Sequence, residues 1–450
     1  MGTEPHIVIL GAGISGLALG WALKKKYGTS IKLTLLEKAP RVGGWIETNQ
    51  QQGFLFEQGP HSCRPSGNGI ATLQLIEDLH LENEVHVGDP AANKRYLWTQ
   101  NKLQELPSNA FSFLTSPLTR KMFWPVLREL WQPKGSHPEE TVEAFFTRRF
   151  NSAFTETFID PLISGIYAGN IQNLSLSACF PYFHALEKEH GSLLKGMFAS
   201  KKAQPSGSVF QQQMQKTPLF SFKQGMETLV KSLATKLKEH ISLNYPVKTL
   251  EFQATEVRIN QEIVAQTVIS TLPAYALAPL IANHSQKLCE TLQSIPHASV
   301  AAINLGWNQK ILNKKGFGYL VPAREKEPIL GVIWDSCVFP KQNAHPEQTR
   351  LCVKLGGARC SNFSAFTAED FTKNALETVK RHLDIAIPPD IIISKIITNA
   401  IPQYTLNHFK RVEAIQAVHS RLKIIGSSFY GISVNDCISQ AFKTAAELSL

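Results

Sequence analysis

Three glycines near the start of the chain, Gly11, Gly13 and Gly16, have the spacing G-x-G-x-x-G. They directly follow the apolar run 6–10 and precede residues 17–23, in which leucines recur with helical spacing. In such a strand–turn–helix unit the glycines form a tight turn, bring the backbone close to a pyrophosphate, and let the helix pack against the strand. The spacing therefore predicts a dinucleotide-binding unit.

A carboxylate stands where this unit needs one. Glu37 ends a second strand-like run, residues 31–36, and comes twenty-one residues after Gly16. At that place it can hydrogen-bond a ribose hydroxyl. The run Arg41-Val42-Gly43-Gly44 follows at once, and its adjacent glycines indicate a second close approach of backbone to the cofactor. Taken alone, this run could be an ordinary turn.

The length and composition place these residues in a large globular chain. At 450 residues with 43% hydrophobic residues, the chain can bury a large core and should divide into two or three domains. It has no apolar run long enough to cross a bilayer. Only five residues precede the first strand, too few for a signal or transit peptide. We therefore expect a cytoplasmic protein.

The net charge and the cysteine pattern limit the kinds of partner, ligand and metal site that we expect. The net charge of +10 favours anionic partners such as phosphates, acidic lipids or carboxylate-bearing substrates. We find no recognisable nucleic-acid module and no stripe of cations interleaved with aromatics, so nucleic acid is not expected. The seven cysteines are dispersed, without a C-x-x-C pair, and we expect them to be reduced and structural. No metal site is predicted.

The rest of the pattern predicts an α/β chain with a second, strand-rich region. Residues 53–62 form a short strand that ends in a Gly-Pro turn, and residues 91–106 form two strand pieces around Asn101. The other predicted elements are a loop over 160–170, an exposed connector over 199–217, a strand over 243–249, a hairpin over 257–272 that returns to the first sheet, a mixed or antiparallel sheet over 299–355, a helix over 370–383, and strands over 391–397 and 422–426.

Two segments allow two interpretations each. Residues 109–131 are rich in Phe, Trp and Leu and carry Arg120, Lys121 and Arg128. They could be buried core, or an amphipathic surface at a membrane interface. The turn Gly431-Ile432-Ser433 precedes a final helix, whose N-terminus could hold a flavin edge or a phosphate. It could equally be an ordinary closing helix.

Six separated segments, in order along nearly the whole chain, together resemble the protoporphyrinogen oxidase family, a branch of the flavin amine oxidases. In that family Trp stands at position 45, where many flavin amine oxidases have Arg. The six segments are Glu37 with Arg41-Val42-Gly43-Gly44-Trp45-Ile46, Phe56-Glu57-Gln58-Gly59-Pro60, Tyr167-Ala168-Gly169-Asn170 with Leu174-Ser175, Gly316-Phe317-Gly318-Tyr319-Leu320-Val321-Pro322, Ile401-Pro402-Gln403-Tyr404-Thr405-Leu406, and Gly431-Ile432-Ser433-Val434-Asn435-Asp436-Cys437-Ile438.

The resemblance implies an FAD enzyme of haem synthesis that oxidises protoporphyrinogen IX to protoporphyrin IX with dioxygen. It implies a Rossmann-like FAD-binding domain made of residues 1–92, 218–292 and 397–450. A mixed-sheet substrate domain would comprise residues 293–396, and a helical domain that associates with membranes would comprise residues 93–217. The expected partners are the porphyrinogen, dioxygen and a peripheral membrane surface, and a homodimer stays open.

Carried over position by position, the resemblance also implies the cofactor-binding residues. The pyrophosphate would be held by Gly11, Ala12, Gly13, Ile14, Ser15 and Gly16. The adenosine ribose would be held by Glu37 and Lys38, and the adenine by the backbone of Val247. The flavin would be held by Gly44, Trp45, Gly59, Pro60, His61, Ser62, Gly431, Ile432 and Ser433.

For the substrate, Arg95 resembles an arginine that meets a propionate, since a guanidinium pairs well with a carboxylate. Phe317 and Leu320 resemble residues that enclose a pyrrole ring, and Gly165 resembles a glycine whose carbonyl faces the ring system. Without the resemblance, Arg95 could be a surface cation, and Phe317 and Leu320 could be strand core. His61 and Lys354 stand where relatives carry other residues, so their roles are open.

Because the flavin carries the redox chemistry, no general base is assigned. Three alternatives remain. The first is a coproporphyrinogen III oxidase of the same fold, which must bind additional propionates. The second is an amine oxidase or carotenoid desaturase. The third is a non-enzymatic carrier of lipidated proteins, which would purify without the yellow colour of flavin.

Overall fold

The strands of the chain form two main sheets, one parallel and one mixed. The structure, a computed structural model, describes residues 4–137, 139–199, 204–417 and 419–449. The strands within these residues are β1 His6–Leu10, β2 Lys32–Leu36, β3 Thr48–Gln51, β4 Phe54–Glu57, β5 Val85–Val87, β6 Tyr96–Thr99, β7 Lys102–Glu105, β8 Phe220–Phe222, β9 Ile241–Ser242, β10 Leu250–Phe252, β11 Val257–Ile259, β12 Ile263–Ala265, β13 Thr267–Ser270, β14 His297–Trp307, β15 Gly318–Leu320, β16 Ile329–Ile333, β17 Thr349–Gly356, β18 Ile391–Pro402 and β19 Leu422–Ile424.

Helices cover both sheets and build a third, mostly helical region. They are α1 Ile14–Tyr27, α2 Gly69–Asp78, α3 Ala110–Thr115, α4 Phe123–Arg128, α5 Val142–Arg149, α6 Ser152–Phe154, α7 Asp160–Tyr167, α8 Leu176–Cys179, α9 Pro181–His190, α10 Leu193–Ala199, α11 Val209–Met214, α12 Glu227–Lys236, α13 Ala274–Ile281, α14 Gln286–Gln293, α15 Asp335–Val338, α16 Ala368–Leu383, α17 His408–Gln416 and α18 Val434–Glu447.

The parallel sheet has the strand order β19-β13-β1-β2-β9, drawn from segments far apart in the sequence. Its central strand β1 is buried on both faces. Ile7 and Ile9 pack into the core that contains α1, α12 and α18, while Val8 and Leu10 pack into the core that contains α13 and α14. Burial on both faces explains why residues 7–10 of β1 are all apolar instead of alternating with polar residues. The predicted α/β fold with a discontinuous dinucleotide-binding part is confirmed.

The segment before β13 differs partly from its prediction. The hairpin predicted over 257–272 is confirmed, because β11 and β12 pair antiparallel and β13 joins the parallel sheet. The strand predicted over 243–249 is wrong. The chain there is a mostly exposed connection between β9 and β10, tied by the Tyr245 N–H to the carbonyl of Glu37 at 2.9 Å. Its backbone bonds to a loop instead of a strand partner.

The second sheet has the order β18-β14-β17-β16-β15-β6-β7 and is antiparallel apart from the β15–β6 pair. One face, including Ala301, Ile303 and Leu305, packs into a core with α16. Strands β6 and β7 form the hairpin expected around Asn101, and they extend this sheet from a segment that was assigned to the helical region. The opposite face of the sheet looks towards the dinucleotide-binding part.

Two segments that were predicted to be a loop and an exposed connector contain helices. Residues 160–167 form α7 instead of a loop, because Pro161 fits the first helical turn and Ile163 and Tyr167 are buried. Within the predicted connector 199–217, α11 buries Gln211 and Met214, while residues 200–203 lie outside the described part. In both cases tertiary contacts outweigh the many loop-type residues of the segment.

Candidate cofactor and substrate site

The first glycine turn is shaped so that only one of its glycines faces open space. A Cβ on Gly16 would lie 2.0 Å from the carbonyl oxygen of Gly11, so a side chain there would push α1 off β1. Gly11 adopts φ +96°, which favours glycine. A Cβ on Gly13 would meet only the Cα of Gly44, at 3.9 Å. The turn therefore leaves a cradle at Gly13, at the N-terminus of α1, where a phosphate group can approach.

Glu37 is fixed beside this turn by the backbone. Its two carboxylate oxygens accept hydrogen bonds from the N–H groups of Ala12 and Ala39, each at 2.9 Å. The exposed Lys38 follows it, and the loop that carries Val247 is tied to the Glu37 carbonyl through Tyr245. Val247 packs against the core formed by Val8, Leu10 and Leu36. The carboxylate thus stands at the edge of the glycine turn, as a ribose ligand must.

The second pair of glycines closes over the first turn. The N–H of Gly43 donates to the carbonyl of Ala12 at 2.8 Å, and Gly43 and Gly44 have φ of +101° and +58°. Arg41 fixes this turn by donating to the Gly44 carbonyl at 2.8 Å. A Cβ on Gly59 would lie 2.0 Å from the Trp45 carbonyl oxygen, so the turn at 59–62 packs directly on Trp45.

The C-terminal turn lies next to the same helix end. Helix α18 packs along α1, and the side chain of Ser15 contacts that of Cys437. Gly431 has φ +122°, and its N–H donates to the hydroxyl of Tyr404 at 2.7 Å. Ser433 caps α18 in a reciprocal arrangement with Asp436. The structure therefore brings the segments around residues 13, 44 and 433 together, and this glycine-lined cradle with a carboxylate fits a dinucleotide.

Buried charges lie where the 59–62 turn meets the mixed sheet. The Nδ1–H of His61 donates to Asp335 Oδ1 at 2.9 Å. Arg350 is buried on the same side and donates to the carbonyls of Leu55 at 2.6 Å and Phe339 at 3.0 Å. The Nε2 atom of His61 and the Oδ2 atom of Asp335 have no partner among the described residues.

The protonation of this cluster follows from its burial and its pairing. Burial is the largest single influence on the pKa of His61 and lowers it, but the charge and the hydrogen bond of Asp335, with a further hydrogen bond to Cys352, together raise the pKa to about 9. Burial would likewise raise the pKa of Asp335, yet His61 holds it below its usual value. Burial raises the pKa of Glu57 to about 7, against the hydrogen bond from the Met226 N–H. At neutral pH the His61–Asp335 pair is therefore ionised.

The residues expected on the substrate side fall on one face of the mixed sheet. Leu320 of β15 pairs with Leu97 on one neighbouring strand and with Gly331 on the other, and Gly331 pairs in turn with Lys354 of β17. Because paired residues point to the same face of a sheet, Leu97, Leu320 and Lys354 share one face. The Leu320 side chain packs under Gly165 of α7, where an added Cβ would lie 2.8 Å from Leu320 Cδ2.

Arg95 belongs to the same face. It precedes β6 by one residue and stands two residues from Leu97, and its guanidinium lies 5.1 Å from the centre of the Phe317 ring. Partial burial, and then the charge of Arg64, lower the pKa of Arg95. Phe317 packs with Ile333, which faces the same way as Lys354 because it pairs with Cys352. Two of the four residues predicted to meet the substrate, Arg95 and Phe317, are thus in contact, and the other two, Gly165 and Leu320, pack on each other.

Several residues of this site were not identified from the sequence. Asp335, Arg350 and Tyr404 carry no spacing signal, since their partners lie far away in the chain, as with the 274 residues that separate His61 from Asp335. The only hint was the Ile401–Leu406 match, which includes Tyr404. In the described residues, no group of three or more His, Cys, Asp or Glu side chains could hold a metal ion.

Comparison with known proteins identifies the family. The family model described as flavin containing amine oxidoreductase matches residues 14–449. Human protoporphyrinogen oxidase is 34% identical over 98% of each chain, and the enzyme of Schizosaccharomyces pombe is 28% identical over the same shares. The coproporphyrinogen III oxidase of Bacillus subtilis is 28% identical over 97% of this chain and 96% of its own.

Solved structures agree on the fold. A crystal structure from Exiguobacterium sp. 255-15, provisionally described as a protoporphyrinogen oxidase, superposes with a TM-score of 0.84 at 22% identity over 99% of both chains. Cyclohexylamine oxidase from Brevibacterium oxydans reaches a TM-score of 0.72 at 14% identity over 99% of this chain and 98% of its own. The family and the dinucleotide cradle together establish FAD as the cofactor. The chain belongs to the flavin-containing amine oxidoreductases, and within them to the protoporphyrinogen oxidase family.

Proposed function

We propose that the protein oxidises protoporphyrinogen IX to protoporphyrin IX with bound FAD and dioxygen. The observation that carries this proposal is the match with human protoporphyrinogen oxidase over 98% of both chains. It is supported by two contacts among the residues expected on the substrate side, that of Arg95 with Phe317 and that of Gly165 with Leu320. When bound, FAD would supply this oxidation in repeated two-electron steps, with dioxygen as the electron acceptor.

The residues on the substrate side bind and orient the ring. The Arg95 guanidinium offers paired donors to a propionate carboxylate. Phe317 and Leu320 offer apolar area for a pyrrole, and Gly165, which has no side chain, lets α7 pack closely on Leu320. We assign FAD binding to the predicted cofactor residues from Gly11 to Gly16, with Glu37, Lys38, Gly44, Trp45, Val247 and residues 59–62 and 431–433.

The three-part domain division is also part of the proposal. Residues 1–92, 218–292 and 397–450 would form the FAD-binding domain, residues 293–396 the substrate domain, and residues 93–217 the helical domain. The parallel sheet of β1, β2, β9, β13 and β19 lies wholly in the first of these. A homodimer is the assembly left to test, by light scattering of the purified protein.

The experiment that tests the function follows porphyrin fluorescence under air. Purified protein with its flavin spectrum recorded is given protoporphyrinogen IX and, separately, coproporphyrinogen III. Faster oxygen-dependent formation of protoporphyrin supports the proposal. Preference for coproporphyrinogen would assign the alternative oxidase activity, and a flavin-loaded protein that turns over neither would refute both.

Arg95→Ala is expected to raise KM for protoporphyrinogen by about tenfold to 100-fold, because a charged hydrogen bond contributes about 1.5–3 kcal/mol. Flavin content should stay at the wild-type level. Lys94→Ala is the matched control, since Lys94 is exposed and already lies 3.8 Å from Glu105. If Arg95→Ala loses flavin, or leaves KM unchanged, then Arg95 does not bind the substrate.

We also propose that residues 109–131 attach the protein peripherally to membranes. Phe111, Trp124 and Trp131 expose 77%, 73% and 72% of their surface, and the exposed Arg120, Lys121 and Arg128 lie among them. Helix α10 packs against the turn at Trp131 and adds the exposed Phe198. Aromatic side chains with flanking cations suit the interface of an anionic bilayer. No helix in the described residues is long and apolar enough to span a membrane.

The double variant Trp124→Ser, Trp131→Ser should bind anionic phospholipid vesicles at least about tenfold more weakly, since burial of one large side chain is worth about 1.5–3 kcal/mol. Val209→Ser removes an equally exposed apolar residue elsewhere, 73% exposed, and should bind as wild type. Co-sedimentation measures both. Equal binding by all three proteins would contradict a membrane role for this segment.

A further inference from the structure

Lys354 stands in a row of side chains that crosses the mixed sheet beneath the expected substrate. Paired positions place Leu97, Leu320, Gly331, Lys354 and Ala302 side by side on the face that looks towards the dinucleotide-binding part. The Leu320 side chain lies over Gly331, because a Cβ on Gly331 would be 3.0 Å from Leu320 Cδ2. Lys354 is therefore the next side chain along the row after Leu320.

Lys354 is half-buried and carries an uncompensated charge. It forms no ion pair with any residue that the structure describes, unlike Lys395, which stands in the same row and lies 3.0 Å from Glu47. Asp335, whose charge interacts with that of Lys354, is already paired with His61 at 2.9 Å. Arg350, four residues before Lys354 and on the same face of β17, adds positive charge, and its partners among the described residues are the carbonyls of Leu55 and Phe339 and the side chain of Asn343. A half-buried ammonium without an acid favours an anionic ligand.

The position of Lys354 relative to Arg95 indicates what that anion is. The strands that carry them, β6 and β17, are three strand spacings apart, which is about 14 Å across the sheet. Both residues project from the same face, one at each side of Leu320 and Gly331. A flat ligand lying on Leu320 would reach both cations with charged groups at its edges.

We propose that Lys354 binds a second carboxylate of the tetrapyrrole, at the edge of the ring that lies away from Arg95. This inference rests on the proposed function and deepens it. The carboxylate comes from one of two sources: the second propionate of protoporphyrinogen, or one of the additional propionates of coproporphyrinogen. Arg95 fixes one edge of the ring and Lys354 fixes the other, so the ring has a single orientation beside the flavin.

The test measures binding of stable porphyrins to the FAD-loaded protein by fluorescence quenching. The probes are protoporphyrin IX, its dimethyl ester and coproporphyrin III. Lys354→Met keeps the length of the side chain and removes the charge, and Lys354→Arg keeps the charge. Lys395→Met is the matched control, because it removes a lysine from the same row that already has an acidic partner. Flavin content and thermal unfolding are recorded for every variant.

Lys354→Met should bind protoporphyrin IX about tenfold more weakly and its dimethyl ester with unchanged affinity. Lys354→Arg and Lys395→Met should bind both as wild type. A tenfold loss confined to coproporphyrin would assign the site to the additional propionates. Equal losses for diacid and ester, loss of flavin, or no loss at all would overturn the proposal. Failure of the wild type to bind any porphyrin would instead refute the proposed function, and this inference with it.

Discussion

Gly13→Ala is expected to give a folded protein that purifies without flavin. Gly13 has φ −72° and ψ −179°, a conformation that alanine adopts freely. Its added Cβ would meet only the Cα of Gly44, at 3.9 Å, so the fold has room for it. The same methyl group would occupy the cradle where the pyrophosphate approaches the backbone. We expect FAD affinity to fall at least about 100-fold, since both the contact and its hydrogen bonds are lost.

Flavin absorbance of the purified protein and titration of the apoprotein with FAD measure this loss, with circular dichroism to report the fold. Gly16→Ala is the informative comparison. Its Cβ would lie 2.0 Å from the Gly11 carbonyl oxygen, so that variant should lose secondary structure and thermal stability together with flavin. A yellow Gly13→Ala protein with wild-type affinity would mean that the cofactor does not approach this turn.

The first unit of the fold was predictable because its signals are local. Strand, glycine turn, helix and the acid at Glu37 occupy a single short segment, and each has its own sequence pattern. The hairpin of β6 and β7 was also predictable, since two strand-like pieces flank Asn101, a residue type that tolerates the positive φ found there. The sheet that this hairpin joins could not be predicted from the sequence. Parallel pairing of β6 with β15 joins residues more than two hundred positions apart.

The elements that were missed are those whose stability comes from distant contacts. Helix α7 has Gly165 and Pro161 in a short segment, a composition typical of a loop, and it is helical because Ile163 and Tyr167 enter a core with Tyr404. The strand expected over 243–249 does not form, because the backbone there hydrogen-bonds to Glu37 and Ala39 in a loop instead of to a neighbouring strand. Tertiary context decided both cases.

The same limit applies to the site. The cofactor residues could be named from their motifs, and the structure brings the glycine turns and the C-terminal turn together. The electrostatic partners could not be named. His61 was visible in the sequence, but nothing there pairs it with Asp335 or places Lys354 in a row with Leu320. Register across a sheet is a property of the folded chain, and one residue of slip would turn Lys354 to the other face.

The helical region depends on a buried ion network at Arg149. This side chain and that of Glu129 are both fully buried, 3.2 Å apart, and Arg149 also donates to Glu187 at 2.6 Å and to the Gly191 carbonyl at 2.8 Å. Glu129 in turn accepts from the N–H of Leu193 at 2.7 Å, at the start of α10. The network thus joins the aromatic segment to α5, α9 and α10.

Arg149→Met should therefore destabilise the helical region by about 3–5 kcal/mol, because it leaves the fully buried Glu129 carboxylate without its cation, whereas Glu187 keeps its ion pair with Arg148. Under native conditions proteolysis within residues 109–137 should accelerate about 100-fold or more, as local opening becomes more populated. Lys231→Met is the control: Lys231 is exposed and pairs with Glu227 one helical turn away at 2.8 Å, so its loss should cost less than about 1 kcal/mol. Vesicle binding should fall in parallel with cleavage, since the exposed tryptophans keep their arrangement only while Glu129 is held. Wild-type proteolysis rates in Arg149→Met would show that the aromatic segment is held by its apolar contacts alone.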